Sequence, residues 1–466
     1  MIHRNHDSKS QTVTPGVRRG TYEKPLITIH SLAATNKYRG RTLSATPCQQ
    51  IDGVDVSTLV AKYGSPLYVV SEKDLRQRYR DFIKNLRKIY SDTYIAYSYK
   101  TNYLSGICTI LHQEGAWAEV VSGLEYEMAE DLGMPSTKIV FNGVHKTSAD
   151  LMRAIKGKSI INIDSFDEIQ QIENLWPSKK DPAKVGIRVN VDVTYPAWSK
   201  FGFNLEAGQA FEAARRVVSS GSLQLNGLHC HIGTYISDHG AYYQAVNKLI
   251  DFALKLEREF DVQIEYLDMG GGYASCNTLH SQFLTGSAII PTLEQYAEAL
   301  CYPLRNRVQE FKSKPRLILE PGRSLVDEAV SMITTVVATK RFADGTKAII
   351  IDAGVNILVT AYWYKHEFMT VQDMGPHLDN VNVYGPLCMQ IDVIRLGVRL
   401  PQLQKGSQLI IKNVGAYNMS QSMQFIYARP AVVIVHHGEA EYLRMPEVMS
   451  DFRRLDVLPD RLKLQK

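Results

Sequence analysis

Four short strings in this 466-residue chain end in residues whose chemistries complement one another. Lys100 closes YSYKTN, and an amine at that place can form a Schiff base with an aldehyde; alone, it reads first as a solvated lysine at a strand end. In HCHIGT, strand alternation puts His229 and His231 on one side and Cys230 on the other, so a flat imidazole either faces a ligand or fills a hydrogen-bonded core position. LDMGGGY supplies Gly270, Gly271 and Gly272, whose backbone N–H groups can converge on an anion with no Cβ in the way. A dinucleotide fold is not indicated, because the GxGxxG spacing is missing and no acidic residue follows at the expected distance. LILEPGR adds the carboxylate of Glu320, with Gly322 and Arg323 as further anion donors. An amine, a flat ring, a phosphate nest and a carboxylate together match pyridoxal 5'-phosphate. Its aldehyde would sit on Lys100, its ring over His231, its phosphate at the glycines and its ring nitrogen on Glu320.

These strings must be held at one end of one scaffold. Short β-branched runs alternate with amphipathic stretches, the pattern of βα units. Strands are expected at Tyr94–Tyr99, Ala118–Val121, Lys138–Phe141, Ile160–Asp164, Lys184–Val189, Leu225–His231, Tyr266–Met269 and Leu317–Glu320, enough for a (β/α)8 barrel over 71–325. Leu75, Tyr79, Phe82, Leu86 and Ile89 mark the helix that opens the barrel, with Ser71 and Asp74 as its cap. A second helix follows Pro291, with Leu293, Tyr296, Leu300, Leu304 and Val308 on one face. Residues 326–466 change to strands and turns, a β-rich C-terminal domain, and 47–70 is expected to be a strand segment joining it.

The net charge of +5 is unevenly placed. Residues 1–46 hold eight basic and two acidic side chains and read as a basic, loosely ordered extension without the apolar core of a secretory signal; the rest of the chain is near neutral. Nucleic acid is therefore not an expected partner. No apolar run approaches the ~20 residues of a membrane helix, so no membrane is expected either. The six cysteines form no CxxC pairs; neither a metal nor a disulfide framework is expected, and the cytoplasm is the plain reading.

The ordered set YSYKTN, SKFGFN, HCHIGT, LDMGGGY, EPGRS, GPLC…D and GAYNMS resembles the fold type III pyridoxal-phosphate decarboxylases, the group of diaminopimelate, ornithine and arginine decarboxylases, and is most similar to the diaminopimelate branch. The resemblance runs from about residue 50 to 440 and implies an alanine-racemase-like barrel plus a β domain. It implies Lys100 as the cofactor lysine, His231 under the ring and Glu320 at the pyridine nitrogen. Gly270, Gly271, Gly272, Gly322, Arg323 and Tyr417 correspond to phosphate contacts, and Thr234 stands where the family usually has serine. Cys388 matches a cysteine that enters the neighbouring subunit's site and donates a proton, which implies a homodimer with shared sites. Lys200 and Asp392 match a pair expected to bridge the subunits. A carboxylate at Glu320 keeps the ring nitrogen protonated and favours decarboxylation over racemisation, for which alanine-racemase-like enzymes place a cation there.

The match breaks at the far end of the substrate. Diaminopimelate decarboxylases usually carry an Arg-Pro pair and an acidic residue after the catalytic cysteine; here Thr360 and Ala361, and Met389, occupy those positions, while Tyr364 is retained. Arg323, Tyr364, Met389 and Tyr417 are the expected substrate contacts. The expected activity is α-decarboxylation of a small-molecule amino acid with an altered distal pocket. The alternatives are a conjugated or carrier-bound amino acid of siderophore or other secondary metabolism, and a non-catalytic, cofactor-binding regulatory protein.

Overall fold

The computed structural model describes residues 47–195, 198–375 and 377–463. The basic extension expected over 1–46 lies outside the described residues.

Strand β1, Leu67–Ser71, precedes the barrel. Eight strands then follow: β2 Thr93–Ser98, β3 Trp117–Val120, β4 Ile139–Phe141, β5 Ile160–Ile163, β6 Ala183–Asn190, β7 Leu223–Cys230, β8 Tyr266–Asp268 and β9 Arg316–Leu319. Every neighbouring pair is parallel, and β9 returns to β2, so the sheet closes into the (β/α)8 barrel. The helix Glu72–Ile89 packs between Ser105–Gln113 and Leu293–Arg307. It takes the place of an eighth outer helix, because β9 is followed only by the single turn Arg323–Val326. Its start is capped as expected, with Ser71 Oγ accepting the Asp74 N–H at 3.1 Å, and Leu75, Tyr79, Phe82 and Leu86 are buried.

Strand alternation explains the barrel interior. Ala96, Trp117, Val140, Tyr266 and Ile318, one from each of five strands, form a buried apolar floor. The Tyr266 ring is large, and it fits because Gly186 and Gly227 face it; a Cβ on either would overlap it. Two residues further along the same strands, the inward positions become Ser98, Glu119, Asn142, Asp268 and Glu320, all buried. The floor is dry and the next layer is polar, which is how this barrel makes a site at its C-terminal rim.

The second sheet is built from β10 Val330–Arg341, β11 Lys347–Ile351, β12 Phe368–Thr370, β13 Leu378–Tyr384, β14 Val393–Pro401, β15 Gln408–Ile411, β16 Val432–His436 and β17 Glu439–Arg444. Its order is β14-β13-β11-β10-β1-β16-β17, with β15 pairing both β10 and β12. One correction concerns 47–70: Val56–Tyr63 is an α-helix rather than strand, because Val56, Leu59 and Tyr63 recur at helical spacing and bury one face. Only β1 at the end of that segment enters the sheet, antiparallel to β10 and parallel to β16. Among the described residues no helix is long and apolar enough to cross a membrane.

Candidate active site

The turn after β2, Tyr99–Thr101, carries Lys100 to the rim. Its Nζ lies 2.5 Å from Glu119 Oε2. Glu119 also accepts from Ser98 Oγ at 2.6 Å and from Asn142 Nδ2 at 3.1 Å, and the same amide donates to Glu320 Oε1 at 2.5 Å. A continuous hydrogen-bonded path therefore joins the amine to the carboxylate. Burial works against the Lys100 ammonium, but the negative charges of Glu119 and Glu320 outweigh it and raise its pKa.

Glu320 is 4% exposed, and its Oε2 lies 3.3 Å from His229 Nε2. Burial alone would raise its pKa; His229, Lys100 and a hydrogen bond with Asp268 outweigh burial and hold the carboxyl well below its ordinary range. Glu320 is an anion at neutral pH. Next to it, the Gly271 N–H donates to His231 Nδ1 at 3.0 Å, which leaves the ring proton on Nε2. Burial, and then the Arg188 cation, push His231 down to about 3, so it presents a neutral ring.

The glycines at the rim cannot be replaced without displacement of their neighbours. A Cβ on Gly271 would lie 2.5 Å from Glu320 O, and one on Gly272 or Gly322 would overlap Gly233 O or Thr101 Oγ1 respectively. Gly270 and Gly272 also adopt φ of 61° and 101°, which L side chains resist. Beside this cradle the Arg323 guanidinium is sandwiched 4.8 Å from the Tyr364 ring and 5.0 Å from that of Tyr417. It is 9% exposed, and its Nη1 has no hydrogen-bond partner among the described residues, since Asp327 stands off at 3.5 Å. A buried cation with an unused N–H beside a glycine cradle is a seat for an anion such as phosphate.

The other sequence candidates fall in different surroundings. Thr234 is exposed on the loop after β7, and Tyr364 is buried. Met389 packs partly buried against the main core. Cys388 is exposed between β13 and β14, and among the described residues no hydrogen bond joins it to its own chain's Lys100 or Glu320. Lys200 is exposed, its ammonium 5.4 Å from the Phe201 ring. Asp392 is 2% exposed and accepts the N–H groups of Val355 at 2.8 Å and Leu387 at 2.7 Å, so within its own chain its carboxylate braces the turn bearing Cys388.

Glu119, Asn142, Arg188 and Asp268 were not among the sequence candidates. Their strings, WAEV, IVFN, GIRVN and YLD, carry no motif, only one polar residue in or at the end of an apolar run. Glu119, Asn142 and Asp268 lie two positions beyond the apolar floor, at the rim.

Comparison with known proteins agrees with this geometry. The family model described as the pyridoxal-dependent decarboxylase, pyridoxal binding domain, matches residues 72–327, and the chain belongs to that family of pyridoxal-phosphate-dependent amino-acid decarboxylases. The diaminopimelate decarboxylase of Methanocaldococcus jannaschii is 31% identical over 88% of this chain and 95% of its own. That of Aquifex aeolicus is 31% identical over 85% and 93%. The crystal structure of the M. jannaschii enzyme superposes with a TM-score of 0.81 at 30% identity, covering 89% of this chain and 97% of that one. A second structure of that enzyme holds L-lysine. The cofactor is pyridoxal phosphate, and the orphaned Arg323 Nη1, the glycine cradle and the Glu320 anion fit it.

Proposed function

We propose that this chain removes the α-carboxylate of an amino acid whose far end differs from that of free diaminopimelate. Bound pyridoxal phosphate supplies the electron sink, since its protonated ring can take the electron pair left by departing CO2. Glu320 holds the proton on the ring nitrogen by its charge. Lys100 Nζ carries the cofactor until the substrate amine displaces it. Glu119 and Asn142 fix that amine and tie its position to Glu320. His231 supports the ring with a neutral face, and Arg323, flanked by Tyr364 and Tyr417, binds the anionic group at the glycines. Cys388, exposed and without a partner in its own rim, serves the site of a second copy as proton donor, so the working unit is a homodimer.

The observation that carries the substrate reading is the environment of Thr360. Its hydroxyl bonds His366 Nε2 and Asn418 Oδ1, both at 2.9 Å, and its N–H donates to the same Asn418 oxygen. The side chain is buried and spent where diaminopimelate decarboxylases usually place an arginine, and Met389 brings no charge where they place an acid. A distal ammonium–carboxylate pair would lack both partners, at a cost of several kcal/mol if buried. Tyr362 and Trp363 beside it are 40% and 50% exposed, an apolar surface suited to a larger or conjugated side chain.

The test is CO2 release from free meso-diaminopimelate, lysine, ornithine and arginine beside a citryl-diaminopropionate conjugate and a carrier-bound glutamate. Turnover of a conjugate well above that of every free diamino acid is expected. Rapid turnover of free meso-diaminopimelate would overturn the substrate reading.

A further inference from the structure

Beneath Glu320 lies a second carboxyl group. Asp268 ends β8 with no exposed surface, and one side-chain atom each from Asp268, Glu320 and His229 lie within 4.8 Å of one another. Asp268 Oδ1 accepts the Gly270 N–H at 2.9 Å, whereas Oδ2 is buried and has no partner among the described residues. Two carboxylates this close and both buried repel each other strongly when ionised; one proton between them turns repulsion into a hydrogen bond.

The surroundings decide which carboxyl keeps the proton. Glu320 faces the Asn142 amide at 2.5 Å, His229 at 3.3 Å and the field of Lys100. Asp268 has one backbone donor, and the titratable groups around it are Glu320, Glu119, Cys230, Tyr266, Tyr273 and the shared His229. None of the first five carries a positive charge. Burial and the neighbouring Glu320 raise the Asp268 pKa well above the ordinary carboxyl range, in agreement with the geometry.

We propose that Asp268 is a positioning residue that stands neutral beneath Glu320 and donates a hydrogen bond from Oδ2 to that carboxylate, fixing the plane in which it meets the cofactor's ring nitrogen. The inference rests on the assignment of Glu320 to the ring nitrogen made above. It gives the orphaned Oδ2 a partner, keeps one negative charge at the ring nitrogen instead of two, and anchors that charge through Gly270 to the phosphate cradle.

Asp268→Asn separates charge from hydrogen bonding, because an amide can donate the same bond and accept the same Gly270 N–H while remaining neutral. In the holoenzyme at pH 7, the parent-minus-Asp268→Asn infrared difference spectrum should contain the stretch of a protonated carboxyl group, a comparison in which other protonated carboxyls such as Glu125 cancel. Cofactor affinity and the pH dependence of its visible absorbance should stay within about twofold of the parent in Asp268→Asn, while Asp268→Ala weakens cofactor binding by about tenfold or more. Absence of that band from the difference spectrum would overturn the proposal even if Asp268→Ala fails to fold. So would an absorbance titration displaced as far in Asp268→Asn as in Asp268→Ala. Glu320→Gln tests the underlying assignment separately: an unchanged cofactor spectrum there would remove Glu320 from the ring nitrogen whatever the infrared band does.

Discussion

Gly271→Ala perturbs the site by a single methyl group. The φ of Gly271 lies outside the left-handed region, so the backbone itself accepts alanine and the effect comes from contact alone. The added Cβ would stand 2.5 Å from the backbone oxygen of Glu320, against about 3.4 Å for an ordinary contact, so one backbone must retreat by roughly 0.9 Å. Neither backbone is free to do so. The Glu320 N–H donates to Gly270 O at 2.8 Å, and the Gly271 N–H donates to His231 Nδ1 at 3.0 Å. Overpacking of this kind costs about 1–3 kcal/mol, and a lost hydrogen bond adds about 1 kcal/mol. Together these reach about 2–4 kcal/mol, shared between folding and cofactor binding. If most of it falls on binding, the cofactor dissociation constant rises by roughly thirtyfold to several hundredfold. The assay is titration of the apoprotein with pyridoxal phosphate, followed by absorbance, beside thermal unfolding of the same samples. A variant that binds the cofactor within about twofold of the parent and unfolds at the same temperature would refute the claim that this glycine is needed for space.

Three further outcomes follow from particular contacts. Burial, and then the charge of Glu119, push Glu125 up to about 7 from 4.5, although its carboxylate accepts the Val121 N–H at 2.8 Å. A raised folded value means that stability is fully present below about pH 4.5 and is lost as the pH rises through about 7, by about 3 kcal/mol in all. Glu125→Gln should therefore gain on the parent in urea unfolding between pH 5 and pH 8; an identical difference at both would reject the assignment. Asp392→Ala strands the Val355 and Leu387 N–H groups and should cost about 2–4 kcal/mol in chemical denaturation, with Asp392→Asn retaining part of the loss; an effect under about 0.5 kcal/mol would show that water replaces the carboxylate. Cys388→Ala should bind cofactor normally and lose most of its decarboxylation or its control over product protonation, and full activity with the normal product would remove the thiol from the reaction.

The barrel was legible because its strands are short apolar runs separated by helix-length spacers, a local pattern that the tertiary structure only had to close. Each observed strand begins and ends within two residues of the expected run. The helix Val56–Tyr63 was not recovered, since eight residues beside a strand-like SPLYVVS give a weak period. Lys100, His231, the three glycines, Glu320 and Arg323 stand out in the sequence because unusual residue types cluster at strand ends. Glu119, Asn142 and Asp268 lie inside ordinary strings, and nothing in WAEV or IVFN by itself marks a member of a site.

What the linear chain determined was the inventory: which strand end holds an amine, a ring, an anion cradle or a carboxylate. What only the tertiary structure decided was adjacency. Closing the barrel places Glu119, Asn142 and Glu320, from three strands, on one hydrogen-bonded path to Lys100, and puts Asp268 against Glu320 where both are buried from solvent. It also turned Asp392 inward to brace the Cys388 turn. The reason is physical: residue types and periodicity are local properties of a chain, whereas charges and protons respond to distance and dielectric, which exist only once the strands have met.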